Sequence, residues 1–387
     1  MPSDPAIGAG AVMCVVGARP NFMKMAPLLR AFAARVPAIP ALLVHTGQHY
    51  DIDMNDRIFT DLRLPQPDVN LEVGAGTQTV QTAEVMRRFE PVMDQYLPSC
   101  VLVVGDVSST LACALVAAKK NVPLVHVEAG LRSYDRGMPE ELNRVLTDQI
   151  ADRLYITERS AYDNLAKEGV GAERVCFAGN VMIDSLLAGR ELAKPVSETF
   201  ERAGVANPSQ LDGKDYALVT LHRPSNVDGA EQLTGWLDTL AQAGRRLPVV
   251  FVLHPRTRAN IERFALTDRL KASGMVLLPP QGYLEMLGLM AAAKMVLTDS
   301  GGLQEETTAL GVPCITLREN TERPITVEQG TNTLVGCDGA AALAMVDDIL
   351  ANGGKRGRVP EFWDGQAAMR IAADLGHWLQ ARAVRAA

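Results

Sequence analysis

Carboxylates and imidazoles follow several short apolar runs in this sequence. Asp106 ends VLVVGD and Glu128 ends VPLVHVE, while His222 and His254 follow two similar runs. Parallel strands present the groups that follow them at one edge of a sheet, so acids and histidines placed there suit general acid–base chemistry. Each also has a simpler explanation. Asp106 could cap the next helix, and His254, which precedes a proline, could be an ordinary loop histidine.

The stretch TDSGGLQEE lies between two apolar runs and predicts a strand, a glycine turn and a helix. Ser300, Gly301 and Gly302 would then stand at a helix N-terminus, where free backbone N–H groups bind anions such as a diphosphate. Glu306, one turn further, could accept hydrogen bonds from ribose hydroxyls. The alternative is an ordinary turn, with Ser300 as the N-cap and Glu305 and Glu306 in the first helical turn.

Three cations have no matching run of acids nearby in the sequence. Arg19 and Lys24 belong to GARPNFMK, and Arg323 belongs to RENTERP. Arginine suits bidentate contact with phosphate, although a solvated loop charge is the simpler explanation. Glu140 follows Pro139 and could be either an acid of the site or a first-turn partner of the helix dipole.

The elements that must position these side chains are apolar strands alternating with helices, a pattern that predicts parallel sheets covered on both faces. At 387 residues, two α/β domains are expected. We expect a first domain over residues 1–182, completed by a C-terminal helix over 366–387, and a second over 183–365. Residues 188–215 are expected to form the passage between them. Two doubly wound, Rossmann-like domains facing across a cleft would hold ligands at the carboxyl ends of their strands.

Composition excludes several classes of function. A net charge of −7 argues against nucleic acid or an anionic membrane as the main partner. The six cysteines show no CxxC pairing, which favours reduced thiols over disulfides or zinc. No GxxxxGK[ST] motif occurs, and GAGAVM at 8–13 precedes its strand, so no nucleotide-hydrolysis or dinucleotide motif is supported. Without a signal-like or membrane-spanning segment, the chain is expected to be cytoplasmic.

Taken together, the motifs resemble those of the non-hydrolysing UDP-N-acetylglucosamine 2-epimerase family. GARPNFMK, HTGQHYD, VVGD, HVEAGLR, PEELNR, LHRP, QGYLEM, LTDSGGLQEE and TERP occur in that family's order, over residues 17–330. The resemblance implies two Rossmann-like domains of the glycosyltransferase-B type and a homodimer that binds a nucleotide sugar. It also implies that neither nicotinamide nor a metal is used.

The resemblance further implies a role for each matching residue. Asp106, Glu128 and Glu140 would be the acid–base carboxylates, with His222 assisting. The residues expected to contact UDP or the substrate are Arg19, Lys24, Gln281, Met286, Ser300, Gly301, Gly302, Glu306, Arg323 and His254. The implied reaction eliminates UDP across C1–C2, gives 2-acetamidoglucal, and adds UDP back with protonation from the other face.

The chain departs from the family in a few places. Members with a second, activating substrate site carry an arginine before Gln-Thr, where this chain has Thr77, although Gln48 and His49 of that site are present. HTGQHYD, LHPRTR and QGYLEM also resemble the branch that acts on UDP-2,3-diacetamido-glucuronic acid. The alternatives are therefore that branch, a hydrolysing 2-epimerase, a glycosyltransferase of the same fold, and a catalytically inactive nucleotide-sugar sensor.

Overall fold

The computed structural model describes residues 10–47, 52–205, 211 and 213–386 of the 387-residue chain. The chain divides into two compact units. Unit 1 comprises Met1–Leu187 and Glu361–Ala387, and unit 2 comprises Ala188–Pro360. Each unit is built on a parallel sheet with Rossmann-like strand order, so the prediction of two doubly wound α/β units is confirmed.

Unit 1 has a seven-stranded parallel sheet. Its strands are β1 (Val12–Val16), β2 (Ala41–His45), β3 (Val69–Asn70), β4 (Cys100–Val104), β5 (Leu124–Ala129), β6 (Arg153–Ile156) and β7 (Val175–Phe177). Its helices are α1 (Arg19–Ala34), α2 (Ile52–Asp61), α3 (Gln78–Tyr96), α4 (Ser108–Lys119), α5 (Pro139–Ile150), α6 (Ser160–Lys167) and α7 (Val181–Arg190), the last of which contains the unit boundary. The spatial order 3-2-1-4-5-6-7 reverses direction between β1 and β4, where such sheets bind ligands.

Unit 2 repeats this plan with six parallel strands. They are β8 (Ala217–Thr220), β9 (Val249–Val252), β10 (Val276–Leu278), β11 (Met295–Thr298), β12 (Cys314–Thr316) and β13 (Asn332–Leu334). Its helices are α8 (Val196–Arg202), α9 (Pro224–Val227), α10 (Ala230–Ala243), α11 (Pro255–Arg263), α12 (Thr267–Ala272), α13 (Tyr283–Ala291), α14 (Gly301–Leu310), α15 (Pro324–Glu328) and α16 (Gly339–Asn352). The order 10-9-8-11-12-13 reverses between β8 and β11.

The central strands explain why the sheets form. Strands β1 and β4 read VMCVV and CVLVV, and every residue in both is buried. An uninterrupted apolar run rich in valine suits a parallel strand that is covered on both faces. The helix α4 has small residues on most sides and packs between α3 and α5. The core of unit 1 therefore continues from the sheet into its helical layer.

The last helix, α17 (Ala367–Ala386), belongs to unit 1 and packs on α1. Asp184 caps it, because its carboxylate accepts hydrogen bonds from the backbone N–H groups of Ala367 and Ala368, at 3.1 and 2.7 Å. Arg153 holds Asp374 of the same helix at 2.6 Å. Helix α8 of unit 2 lies within residues 188–215, which the sequence predicted as the passage between the domains.

All six cysteines lie within the described residues and are unpaired. Within those residues, no group of three or more His, Cys, Asp or Glu side chains could hold a metal ion. Of the helices that the structure describes, none combines the length and apolar character needed to span a membrane.

Candidate active site

Asp106 stands just past the end of β4, at the point where the sheet of unit 1 reverses direction. Two side chains of helix α5 contact Asp106. Asn143 Nδ2 donates to the Asp106 carbonyl at 2.8 Å, and Arg144 Nη1 lies 2.5 Å from Asp106 Oδ2. The Arg144 guanidinium is almost fully buried, so its charge acts on the carboxylate with little screening by water. Asp106 is thus presented as an oriented carboxylate paired with a cation.

Glu128 occupies a β-bulge. The pairing of β5 with β6 shifts register between Val127 and Ala129, and Glu128 has a φ of +72°. A positive φ is costly for a residue with a side chain, and such strain is found preferentially at functional sites. The expectation that Glu128 follows the strand was wrong. Strand β5 continues to Ala129, so Glu128 lies within the strand, at the bulge.

Lys24 pairs with Glu128 inside unit 1. Its Nζ forms a salt bridge with Glu128 Oε2, and both side chains are buried. A Cβ atom on Gly105 would lie 2.8 Å from Lys24 Nζ, and Gly105 has a φ of +67°. Glycine is therefore favoured there by the positive φ, and the lysine amine lies close to it. The structure brings Lys24, Glu128 and the turn that carries Asp106 to one edge of the sheet.

Glu140 and Arg19 lie in the first turns of two helices of unit 1. Glu140 is half-buried in the first turn of α5, the same helix that supplies Asn143 and Arg144. Arg19 is the first residue of α1 and is exposed. Helix α1 follows β1 and α5 follows β5, so both residues come after carboxyl ends of strands, where parallel sheets bind ligands.

Glu141 was not singled out from the sequence, although it adjoins Glu140. Its carboxylate accepts backbone hydrogen bonds from Ser133 at 3.0 Å and Tyr134 at 2.8 Å, and pairs with Arg144 at 2.6 Å. Burial alone would raise its pKa, but the Ser133 N–H and the Arg144 guanidinium outweigh burial and hold the pKa of Glu141 below its ordinary value. Glu141 therefore fixes the loop before α5 and the arginine that holds Asp106.

In unit 2 His222 is held by a buried aspartate. His222 follows β8, and Asp299 follows β11, the neighbouring strand at the reversal point. His222 Nδ1 lies 2.9 Å from Asp299 Oδ1, and Asp299 is completely buried. The carboxylate also accepts the backbone N–H of Arg223 at 2.8 Å and the Asn226 side chain at 3.1 Å. Asp299 thus orients the imidazole, as carboxylates do in other acid–base pairs.

The charge on Asp299 is well supported. Burial alone would raise the pKa of Asp299, but the hydrogen bond and charge of His222, together with the N–H donors, hold it below the ordinary value. Asp299 is part of TDSGGLQEE but received no role from the sequence. Its position could have identified it, because Asp299 directly follows the apolar run that forms β11, just as Asp106 follows β4 after one glycine.

His254 is the N-cap of α11. Its Nδ1 accepts a hydrogen bond from the backbone N–H of Arg256 at 3.2 Å, so the simpler explanation of a loop histidine with a local partner applies. Its ring centroid nevertheless lies 5.3 Å from that of His222. The structure therefore brings His222 and His254 together at the carboxyl ends of β8 and β9.

The turn before α14 has the predicted form. Ser300 is the N-cap residue and the helix begins at Gly301. In the part of the chain that the structure describes, the Ser300 hydroxyl makes no capping hydrogen bond to the helix. The alternative placed Glu305 and Glu306 in the first turn, which was wrong: the first turn holds no acid, and both lie one turn further in. Backbone N–H groups at this terminus suit an anion.

Gly301 lies against a buried cluster of charges. A Cβ atom there would lie 2.7 Å from Glu322 Oε1 and 2.8 Å from Arg323 Nη1. Arg323 Nε is 2.9 Å from Glu305 Oε2, and its Nη1 is 2.6 Å from Glu322 Oε1. The second oxygen of Glu322 is 2.8 Å from Arg318 Nη2. Two arginines are thereby fixed beside the start of α14.

The other candidates of unit 2 lie on or near α13 and α14. Gln281 Nε2 donates to the Pro279 carbonyl at 2.7 Å, and Met286 is half-buried. Glu306 is buried near Tyr283, and burial, followed by the Glu306 carboxylate, raises the pKa of Tyr283. Tyr283 therefore keeps its hydrogen beside Glu306. The remaining candidates, Gln48 and His49, lie outside the described residues.

The chain is similar to known proteins over nearly its whole length. The sequence model of a family described as UDP-N-acetylglucosamine 2-epimerase matches residues 33–376. A Methanocaldococcus jannaschii protein named UDP-N-acetylglucosamine 2-epimerase is 40% identical over 360 residues, which cover 92% of this chain and 96% of that protein. A Pseudomonas aeruginosa protein named UDP-2,3-diacetamido-2,3-dideoxy-D-glucuronate 2-epimerase is 39% identical over 369 residues, 93% of this chain and 98% of that protein.

A solved structure is similar over nearly the same length. It is the M. jannaschii UDP-GlcNAc 2-epimerase in complex with UDP-GlcNAc and UDP. It is 38% identical to this chain, has a TM-score of 0.85, and the match covers 95% of this chain and 99% of that one.

Proposed function

We propose a reaction from the premise that this chain belongs to the UDP-N-acetylglucosamine 2-epimerase family, and is therefore an isomerase. The proposed reaction is the reversible conversion of UDP-N-acetylglucosamine to UDP-N-acetylmannosamine. It proceeds by anti or syn loss of UDP across C1–C2 and its return to the 2-acetamidoglucal so formed, with no net release of UDP. The observation that carries the proposal is Glu128, which is strained on a bulge, paired with Lys24 and adjacent to the turn of Asp106.

The chemistry calls for several carboxylates. The C2 proton is not next to a carbonyl, so removing it alone gives no stabilised carbanion. Loss of UDP from C1 at the same time avoids that carbanion. Reprotonation from the other face requires a second proton carrier, and two carriers work at one pH only if their surroundings differ. Asp106 beside Arg144, Glu128 beside Lys24, and the half-buried Glu140 are three carboxylates in distinct surroundings.

UDP must be retained between the two steps. We assign its retention to unit 2, through the N-terminus of α14, Ser300 and the arginines beside Gly301, with Glu306 at the ribose. His222, oriented by Asp299, would assist at the diphosphate or at the leaving oxygen. The M. jannaschii relative with UDP-GlcNAc and UDP bound supports a nucleotide sugar as the ligand class. Arg19, Lys24, Gln281, Met286 and His254 complete the proposed contacts.

A second substrate is favoured by a specific observation. The P. aeruginosa relative, named for a diacetamido-glucuronate, is nearly as similar as the M. jannaschii one, at 39% against 40% identity. A carboxylate at C6 and an acetamido group at C3 distinguish that sugar from N-acetylglucosamine.

Product analysis tests the proposal. Purified protein is incubated separately with UDP-GlcNAc and with the UDP-diacetamido-glucuronate, and the products are separated by ion-pairing chromatography. We expect UDP-ManNAc to accumulate from UDP-GlcNAc without free UDP. Free UDP with free sugar would identify a hydrolysing enzyme, and conversion of the uronate alone would identify the second substrate. Light scattering on the same sample tests the homodimer, which we include in the proposal.

A further inference from the structure

Two buried side chains without a role in the site described above connect the turns that carry Asp106 and Glu128. His126 lies on β5 and Asp148 near the end of α5, and both are 0% exposed. His126 Nδ1 lies 2.7 Å from Asp148 Oδ1, and His126 Nε2 lies 2.8 Å from the carbonyl oxygen of Gly105. Gly105 is the residue before Asp106, so the imidazole reaches the backbone of that turn.

The second carboxylate oxygen of Asp148 reaches the other turn. Asp148 Oδ2 accepts the backbone N–H of Gly130 at 3.0 Å and the Arg132 guanidinium at 2.7 Å. Gly130 lies two residues after Glu128. One continuous series of hydrogen bonds therefore runs from the Gly105 carbonyl through His126 and Asp148 to the Gly130 N–H.

Each ring nitrogen of His126 has a hydrogen-bond partner. Nδ1 lies beside a carboxylate oxygen of Asp148, and Nε2 lies beside the carbonyl oxygen of Gly105. Burial alone would raise the pKa of Asp148, but the charge and hydrogen bond of His126, followed by those of Arg132, hold it below the ordinary value. The ring and the carboxylate are thus buried hydrogen-bond partners.

The place of this pair in unit 1 distinguishes it from an ordinary buried pair that only supports folding. The backbone has a positive φ at Gly105, Glu128 and Gly130, which are the residues that set the direction of the two turns. A Cβ atom on Gly130 would lie 2.7 Å from the Ala161 Cβ, so this turn is also closely packed from α6. A strained backbone persists only where its surroundings hold it, and the pair binds both turns.

We propose that His126 and Asp148 are positioning residues for the reaction, which hold the turns of Asp106 and Glu128 at a fixed separation. The proposal rests on the proposed function, because the two carboxylates need this geometry only if they act on one substrate. A displacement of about 1 Å in a reacting group lowers a rate by about 100-fold. Neither side chain need contact the substrate for this effect.

The test uses substitutions at Asp148 that separate geometry from charge. Asp148→Asn keeps the geometry: its oxygen can accept from Gly130, and its amide can donate to a neutral His126 whose Nε2–H still reaches Gly105. Asp148→Ala and His126→Ala break the series. Asp152→Ala is the matched control, because Asp152 binds the Leu124 N–H at 2.8 Å, at the opposite end of β5. The measurements are kcat and KM for UDP-GlcNAc epimerisation, and deuterium uptake of peptides covering 105–108 and 128–132.

We expect kcat to fall by about 100-fold in both broken variants, with KM within about twofold, while Asp148→Asn stays within about tenfold of the wild type. Wild-type kcat in Asp148→Ala would overturn the proposal. If the broken variants fail to fold, Asp148→Asn decides: a folded Asp148→Asn with kcat reduced about 100-fold would also overturn it, because geometry alone would not be sufficient.

Deuterium uptake separates failure of this proposal from failure of the proposed function. If the wild type epimerises no nucleotide sugar, the proposed function fails. Faster uptake of both peptides in Asp148→Ala than in Asp152→Ala would still support the connection between the turns. Equal uptake in those two variants would overturn it, whatever the activity.

Discussion

At the scale of single residues, three of the assigned acid–base groups have a charged partner, and the sequence identified none of these pairings. Asp106 is held by Arg144, Glu128 by Lys24, and His222 by Asp299. The groups themselves could be found because each follows an apolar run. Their partners could not be paired with them, because each partner comes from another element, and only the folded sheet brings the two together.

The role of Asp299 can be tested by removing its charge. In Asp299→Asn the carboxylate that accepts from His222 Nδ1 becomes an amide, which favours the other tautomer or another ring orientation. Comparable changes in catalytic histidine–aspartate pairs lower kcat by about 10⁴-fold. We expect kcat for epimerisation to fall by about 100-fold or more.

Asp228→Asn is the control for this substitution. Asp228 pairs with Arg256 on the surface of the same unit and has no role in the proposed site. It should leave kcat unchanged. A folded Asp299→Asn with the kcat of the wild type would show that His222 needs no carboxylate partner.

At the scale of elements, one helix in each unit positions that unit's candidate residues. Helix α5 presents Glu140 in its first turn, Asn143 and Arg144 to Asp106, and Asp148 to His126. Helix α14 presents its N-terminus beside a buried cluster of arginines and glutamates. The sequence predicted both helices from Pro139 and from the glycine turn. It could not predict that later residues of α5, Asn143, Arg144 and Asp148, contact Asp106 and His126, because those contacts depend on how the helix packs on the sheet.

The close packing at the start of α14 gives a prediction for UDP binding. In Gly301→Ala the new methyl group would contact Glu322 Oε1 and Arg323 Nη1 at under 3 Å, so the arginine or the helix must shift. Because the Arg323 guanidinium is proposed to hold UDP, its displacement should raise the Kd for UDP by about tenfold or more. Isothermal titration calorimetry measures it.

Gly235→Ala in α10 is the matched control, since a Cβ there meets nothing within 4 Å. It should bind UDP as the wild type does and be slightly more stable. Equal UDP affinity in Gly301→Ala and Gly235→Ala would contradict the assignment of this turn.

The cap of α17 predicts a pH dependence of stability. Burial raises the pKa of Asp184 from 3.8 to about 6 in the folded protein, against the opposing hydrogen bonds from Ala368 and Ala367. The folded state therefore holds this proton more tightly than the unfolded state. Binding of this proton stabilises the folded state fully at pH well below 3.8. About 3 kcal/mol of this stabilisation is lost as the pH rises through about 6.

Asp184→Asn has no such proton to lose. The difference in free energy of unfolding, wild type minus Asp184→Asn, should fall by about 2 kcal/mol between about pH 4 and about pH 7, as measured by urea unfolding. Asp364→Asn is the control, because Arg370 holds the pKa of Asp364 below its ordinary value and the same trend is not expected. A difference that does not change with pH would contradict the assignment to Asp184.

At the scale of the whole molecule, the sequence predicted more of the fold than of the site. Two doubly wound units follow from alternating apolar strands and helices, and the structure confirms them. The position of Glu128 could not be predicted, because a bulge and a positive φ leave no signature at a glutamate. Arg323 could be identified as a cation near the glycine turn, but its pairing with Glu305 and Glu322 depends on burial.

The most direct test of the account is whether the C2 hydrogen of the sugar exchanges with solvent. UDP-GlcNAc is incubated with the wild type in D₂O and followed by proton NMR, beside Asp106→Asn and Glu128→Gln. We predict loss of the C2 proton signal and appearance of UDP-ManNAc with the wild type. Both variants should lose this exchange while still binding UDP. A C2 proton that persists with folded wild-type protein, or near-normal exchange in either variant, would contradict the account.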